Sequence, residues 1–188
     1  VRDFFWGRLM FPIHERHGRV AGFGARSLDG SNPKYLNTSA TPVFDKRATL
    51  YGLHMANSQI REQDTAVIVE GYMDAIAAHQ HGYTNVVASM GTALTEQQIA
   101  QLRSMAKEFV HALDPDDAGQ EATRRSLESS YHVFARQLGQ KAQMILKIAA
   151  LPEGRDPDRF IRETPEEWGH LIRDAVPFIK FAIPAFAR

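Results

Sequence analysis

Four short apolar runs, separated by stretches with helical spacing, constrain this chain of 188 residues more than any other feature. They are Thr65-Ala66-Val67-Ile68-Val69, Asn85-Val86-Val87-Ala88, Glu108-Phe109-Val110-His111-Ala112-Leu113 and Gln143-Met144-Ile145-Leu146-Lys147-Ile148. The first is continuous and rich in β-branched side chains, as a strand covered on both faces must be. Between the runs, Met73 to Gln80 reads as a helix closed by Gly82, and Ala118 to Leu138 as a long helix. Thr95 to Ala106 reads as a third, with Thr95 as N-cap and Glu96 just inside it. Strands joined by helical crossovers run parallel. The spacing therefore predicts an α/β fold with an open, mostly parallel sheet and helices on both faces.

The flanks follow other patterns. Leu9 to Ile13, the turn-like His17-Gly18-Arg19 and the run from Val20 to Arg26 predict a hairpin. Residues 28–47 are rich in Gly, Ser, Asn, Thr and Pro, with a short strand expected near Lys34-Tyr35-Leu36. Thr49 to Ser58 has helical spacing, and the last forty residues suggest two or three short helices among Pro152, Pro157, Pro165, Pro177 and Pro184. The expected organisation is a small basic α+β segment over 1–62, a sheet domain over 63–150 and the start of a helical part over 151–188, α+β overall.

Composition closes several routes. The chain has no cysteine, which excludes disulfides, thiolate zinc sites and a cysteine nucleophile. No run approaches the roughly 18 apolar residues of a membrane span. The start, Val1-Arg2-Asp3, has neither an initiator methionine nor a basic leader, so the chain is expected to be a fragment of a longer cytoplasmic protein. The formal charge is zero but sorted. Residues 1–61 carry nine basic against four acidic side chains, and residues 62–128 carry four against eleven. Either solvated faces have sorted, or the basic part holds a polyanion and the acidic part a metal.

Chemistry in an open parallel sheet collects beyond the carboxyl ends of the strands. Two expected strands end in carboxylates: Val69-Glu70-Gly71-Tyr72-Met73-Asp74, and Leu113-Asp114-Pro115-Asp116-Asp117. In an extended chain Asp114 and Asp116 point to the same side, and both could lean toward Glu70 if the strands are neighbours. Crowded carboxylates repel unless a cation sits between them, and an all-oxygen set suits Mg²⁺ or Mn²⁺. Helix capping is the plainer role for one aspartate here, but a cap does not need three. Other templates fail: there is no P-loop, no EF-hand spacing after Asp114, no helix after Gly22-Phe23-Gly24 and no Gly-x-Ser-x-Gly turn. The paired histidines, His14/His17 and His79/His81, lack metal-ligand spacing.

Glu70-Gly71-Tyr72-Met73-Asp74, followed some forty residues on by Asp114-x-Asp116-x-Ala118-Gly119, resembles the TOPRIM signature of topoisomerases and primases. The flanks narrow the resemblance to the bacterial replicative primases of the DnaG type. They include Arg8-Leu9-Met10-Phe11-Pro12-Ile13, Gly22-Phe23-Gly24-Ala25-Arg26, Pro33-Lys34-Tyr35-Leu36-Asn37-Thr38 and, further on, Ala88-Ser89-Met90-Gly91-Thr92. The resemblance covers roughly 1–180. It implies an RNA polymerase core that makes short primers on single-stranded DNA from ribonucleoside triphosphates. It implies Mg²⁺, for which Mn²⁺ can substitute, and no zinc in this piece. It also implies a replicative helicase partner reached through another domain, a cytoplasmic replisome location and no membrane. Carried over by position, Glu70, Asp114 and Asp116 are the central catalytic and metal carboxylates, and Asp74, Asp156 and Asp158 supporting acidic positions. Arg8, Arg26, Lys34, Tyr35, Asn37 and Lys46 line the template and nucleotide site. Pro115 departs from the small residue common in the family. The competing readings are a TOPRIM nuclease or topoisomerase fragment, a phosphatase of the haloacid dehalogenase type on Asp114-x-Asp116, and a DNA-binding remnant without activity.

Overall fold

The computed structural model describes residues 3–91, 94–113, 144–152 and 154–181. Two sheets carry the fold. The first is antiparallel, with strands β1 (Arg8–His14), β2 (Val20–Ser27) and β3 (Tyr35–Asn37) in that order. The second has five strands, β4 (Thr65–Val69), β5 (Val86–Ala88), β6 (Glu108–Leu113), β7 (Ile145–Ala150) and β8 (Val176–Pro177), in the order β5-β4-β6-β7-β8. All of its pairings are parallel except that of β8 with β7. Helices α1 (Leu53–Gln63), α2 (Tyr72–Gln80), α3 (Glu96–Leu102), α4 (Pro157–Glu163) and α5 (Pro165–Arg173), with a 3-10 turn over Lys46–Ala48, complete the described elements. None is long and apolar enough to cross a membrane.

The period of two along β4 distributes the core. Val67 and Val69 join the cluster that holds Ala75, Ala77 and Ala78 of α2 and Phe160, Ile161 and Trp168 of α4 and α5. Ala66 and Ile68 face the other way, among Leu53, Ala56 and Ile60 of α1 and Ile99 and Leu102 of α3. A strand buried on both faces must be apolar throughout, which is why this run is continuous. The antiparallel sheet joins the α2 side through Phe11 and Ile13 of β1, with Phe44 from the loop that follows it.

The hairpin, β4 and β6 fall where the sequence places them, and Thr95 caps α3, its hydroxyl accepting from the Gln98 N–H at 3.2 Å. Other boundaries move. α1 begins at Leu53, because Tyr51 is taken by a bridge to Ala88: each backbone N–H donates to the other's carbonyl, at 2.9 and 3.0 Å. Gly52 then turns the chain with a φ of 80°, a conformation that glycine adopts without strain. β7 lies over 145–150 rather than 143–148, and the edge strand β8 was not expected from its pattern. α3 ends at Leu102 rather than running to 106. The long helix expected over 118–138 lies outside the described residues.

Topology sets the site. From β4 the chain passes through α2 to β5 on one side, and β6 continues to β7 on the other. Adjacent strands whose connections leave in opposite directions open a crevice at their carboxyl ends. β4 and β6 are such a pair, in register from Thr65↔Glu108 to Ile68↔His111.

His111 is buried in the middle of this sheet, and burial pushes its imidazole down to about 4. The unfolded chain therefore binds a proton that the folded one refuses, and stability is lost as pH falls from about 6.5 toward about 4. His111→Leu is expected to flatten that limb. The wild type should lose about 2 kcal/mol more than the variant between pH 7 and pH 5, measured by denaturant unfolding at each pH.

Candidate active site

Glu70 follows β4 directly, and its main chain is fixed by the loop after β5. The Ser89 N–H donates to the Val69 carbonyl at 3.1 Å and the Gly91 N–H to the Glu70 carbonyl at 3.0 Å. The side chain is half-buried, and burial pushes its carboxyl above the ordinary range. No described residue donates a hydrogen bond to that carboxylate. β6, the neighbour of β4, is described to Leu113. Asp114 and Asp116 lie outside the described residues.

Asp74 is buried in the first turn of α2. One carboxylate oxygen accepts the Gly71 N–H at 2.9 Å, and the other accepts the Asp158 N–H at 3.1 Å. A Cβ on Gly71 would stand 2.9 Å from that same Asp74 oxygen, so the position accepts only glycine without displacement. Asp158 opens α4, where its N–H is shared with the carboxylate of the N-cap residue Asp156 at 3.0 Å. The Asp158 carboxylate in turn accepts from Nε and Nη2 of Arg162. The three supporting acids are thus joined through one N–H group, and Asp74 ties α2 to α4. Among the described residues, no group of three or more His, Asp or Glu side chains is gathered closely enough to hold a metal ion.

The basic strands face this acidic corner. Arg26 and Tyr35 are opposite each other on β2 and β3. The Arg26 guanidinium and the Lys34 ammonium each stand 5.7 Å from the centre of the Tyr35 ring, within the range of a cation–π contact. The Tyr35 phenol is pushed above its ordinary pKa, first by burial and then by the charges of Asp74, Asp156 and Asp158, against the opposing effect of Arg26. Tyr35 therefore sits where the two charge fields meet. Arg8 donates to the Pro33 carbonyl at 2.8 Å and holds the loop that carries Lys34. The side-chain oxygen of Asn37 is buried without a hydrogen-bond partner among the described residues. Lys46 lies on a 3-10 turn over Lys46–Ala48.

The sequence did not single out Tyr72. It is 4 % exposed and packs against Phe11 at 4.7 Å, Tyr35 at 5.5 Å and Tyr51 at 5.7 Å between ring centres. Gly24 makes room for it: a Cβ there would lie 3.0 Å from the Tyr72 ring and 3.1 Å from the Asn37 oxygen. The available signal was a glycine paired across the hairpin from Phe11, together with a tyrosine in the first turn of α2.

Comparison with known proteins agrees with this geometry. A Toprim-like family model matches residues 67–161, and the model of the DNA primase catalytic core, N-terminal domain, matches residues 1–57. A DNA primase of Clostridium acetobutylicum is 43% identical over 184 residues, covering 97% of this chain and 29% of that protein. The chain thus spans under a third of the length of that relative. The Escherichia coli primase catalytic core superposes with a TM-score of 0.83 at 36% identity, covering 97% of this chain and 57% of that one. A DnaG primase catalytic domain bound to single-stranded DNA gives a TM-score of 0.83 at 35% identity, covering 97% of this chain and 56% of that one.

Asp74→Ala leaves the Gly71 N–H without its acceptor and the Asp158 N–H with Asp156 alone, and is expected to cost about 1–3 kcal/mol. Hydrogen exchange should then show α4 opening before the sheet. Uniform protection across α2 and α4 in that variant would contradict the tie described here.

Proposed function

Because the chain belongs to the Toprim-like family and carries the N-terminal domain of the DNA primase catalytic core, we propose that it is the central part of a DNA-directed RNA polymerase. The parent protein would make short RNA primers on single-stranded DNA. The observation that carries this reading is the adjacency of β4 and β6. It brings the strand that ends at Glu70 beside the strand that leads in sequence to Asp114 and Asp116, with a basic, tyrosine-bearing sheet facing the same corner.

The residues fit a divalent cation. Glu70 is a half-buried carboxylate with no described donor, so a hard cation would offset the burial that now disfavours its charge. In the proposed site Glu70, Asp114 and Asp116 would hold it. Asp74, Asp156 and Asp158 would form a supporting rim, since an oxygen that accepts one N–H keeps a second lone pair for a hydrated ion. The Asp158 anion is already balanced on one side by Arg162, which suits outer rather than direct ligation. Mg²⁺, or Mn²⁺ in its place, would supply charge neutralisation at the triphosphate and acidify the attacking hydroxyl.

The chain's own residues would do the positioning. Phosphoryl transfer needs alignment and charge neutralisation more than covalent help. Arg8, Arg26, Lys34 and Lys46 would hold phosphates of the template and the incoming nucleotide, with arginine able to bind two oxygens at once. Tyr35, held edge-on against Tyr72, presents a half-exposed ring on which a base can stack. Asn37 would complete the polar lining.

Glu70→Gln is the test. In the full-length protein the variant should lose primer synthesis by about 10²-fold or more in a template-dependent assay. Without metal its melting temperature should stay level or rise, because the burial penalty on the charge is removed. The upward shift that Mn²⁺ gives the wild type should disappear. Retained synthesis would refute the assignment of Glu70. Cleavage of DNA with no RNA product would favour a TOPRIM nuclease instead.

A further inference from the structure

The turn that carries Lys46 is held by a neighbouring helix. Within the turn, the Asp45 carboxylate accepts the Arg47 N–H at 2.8 Å, and the Thr49 hydroxyl donates to the Asp45 carbonyl at 2.7 Å. These bonds leave the carbonyls of residues 46–49 directed toward α3, which supplies a donor to every one of them. The Thr95 hydroxyl donates to the Arg47 carbonyl, and the Gln101 amide to the Ala48 carbonyl. The Gln98 amide donates to the Thr49 carbonyl at 2.9 Å and to the Lys46 carbonyl at 3.3 Å. Thr95, Gln98 and Gln101 are three residues apart and so share one helix face.

Gln98 is the centre of this clasp. It is 0% exposed and next in sequence to Ile99, which belongs to the apolar core that α1 and α3 share. Its amide oxygen accepts the Thr95 N–H at 3.1 Å, which fixes which way the amide faces. A buried amide is costly unless fully bonded, and this one is fully bonded only while the Lys46 turn keeps its shape. The turn is three residues long, with no buried side chain of its own to anchor it.

What the clasp holds is a cation. Burial lowers the affinity of the Lys46 ammonium for its proton, and no described carboxylate pairs with it. A half-buried ammonium on a held backbone, with no described carboxylate beside it, is set up to receive an anion from a ligand.

We propose that Gln98, with Thr95 and Gln101, is a positioning residue that holds Lys46 where its ammonium meets a phosphate of the template backbone or of the incoming triphosphate. This rests on the reading of Lys46 as a phosphate contact. α3 then belongs to the substrate grip through the backbone of the Lys46 turn.

The test uses the full-length protein with Lys46→Ala, Gln98→Met, Gln101→Met and the double variant Lys46→Ala/Gln98→Met. Affinity for a single-stranded oligonucleotide is measured across a salt series, and KM for ribonucleotides at saturating template. If the template supplies the phosphate, Lys46→Ala lowers the salt slope by about 0.7, the value for one lost contact to a single strand. If the triphosphate supplies it, KM rises about tenfold while the slope holds. Gln98→Met should reproduce whichever change Lys46→Ala causes, and the double variant should be no worse than Lys46→Ala. Should Gln98→Met fail to fold, Gln101→Met carries the comparison at the rim of the same clasp. If the glutamine variants lower only the melting temperature while Lys46→Ala changes slope or KM, the clasp is purely structural and the inference falls. If Lys46→Ala changes neither quantity, the reading of Lys46 falls, and the inference with it.

Discussion

Tyr72 is the side chain on which the two sheets meet. It stands one residue past Gly71, at the start of the helix that follows the central strand, and its ring touches Phe11, Tyr35 and Tyr51 from three separate segments. An aromatic pair contributes about 0.5–1.5 kcal/mol beyond its buried area, so three of them on one ring make this junction hard to loosen. Gly24 and Gly22 let it form. Side chains there would meet the Tyr72 ring and the Phe44 ring at about van der Waals limits or closer, 3.0 Å in each case. The basic sheet approaches the acidic corner only because one of its faces has been stripped of side chains at these positions.

The same junction explains the sorting of charge along the chain. Arg8 and Arg26 lie on the antiparallel sheet, whereas Glu70 and Asp74 follow β4 of the parallel one. Packing Tyr72 against β1, β2 and β3 brings the two fields together at Tyr35, whose phenol responds to Arg26 and to Asp74, Asp156 and Asp158 at once.

Much of this was legible in the sequence, for identifiable reasons. β4 was readable because burial on both faces removes polar residues from the run, β6 because only His111 interrupts its apolar stretch from Phe109 to Leu113, and Thr95 because a cap is a local signal. The start of α1 was not readable, since Tyr51 is withheld from the helix by Ala88, far along the chain. β8 has two residues, one of them proline, and no period to detect. Within the candidate site, Glu70 was legible as a carboxylate at a strand end. The work of Asp74 was not: its acceptance of two backbone N–H groups depends on α4 arriving from more than eighty residues away. Tyr72 and Gln98 were invisible for the same reason, because periodicity tells which face a residue lies on and not what stands opposite.

The acids around α2 and α4 divide into two physical kinds. Asp74, Asp156 and Asp158 have N–H or guanidinium donors, which satisfy their charge within the fold and make them useful even without a cation. Glu70 has no described donor, and burial opposes its charge. A carboxylate kept in that condition destabilises the protein that carries it, whereas a capping aspartate stabilises it. The supporting acids thus contribute to the fold in every state. The cost of Glu70 is offset only when something positive is brought to the carboxyl end of β4, and that asymmetry separates it from the other three acids.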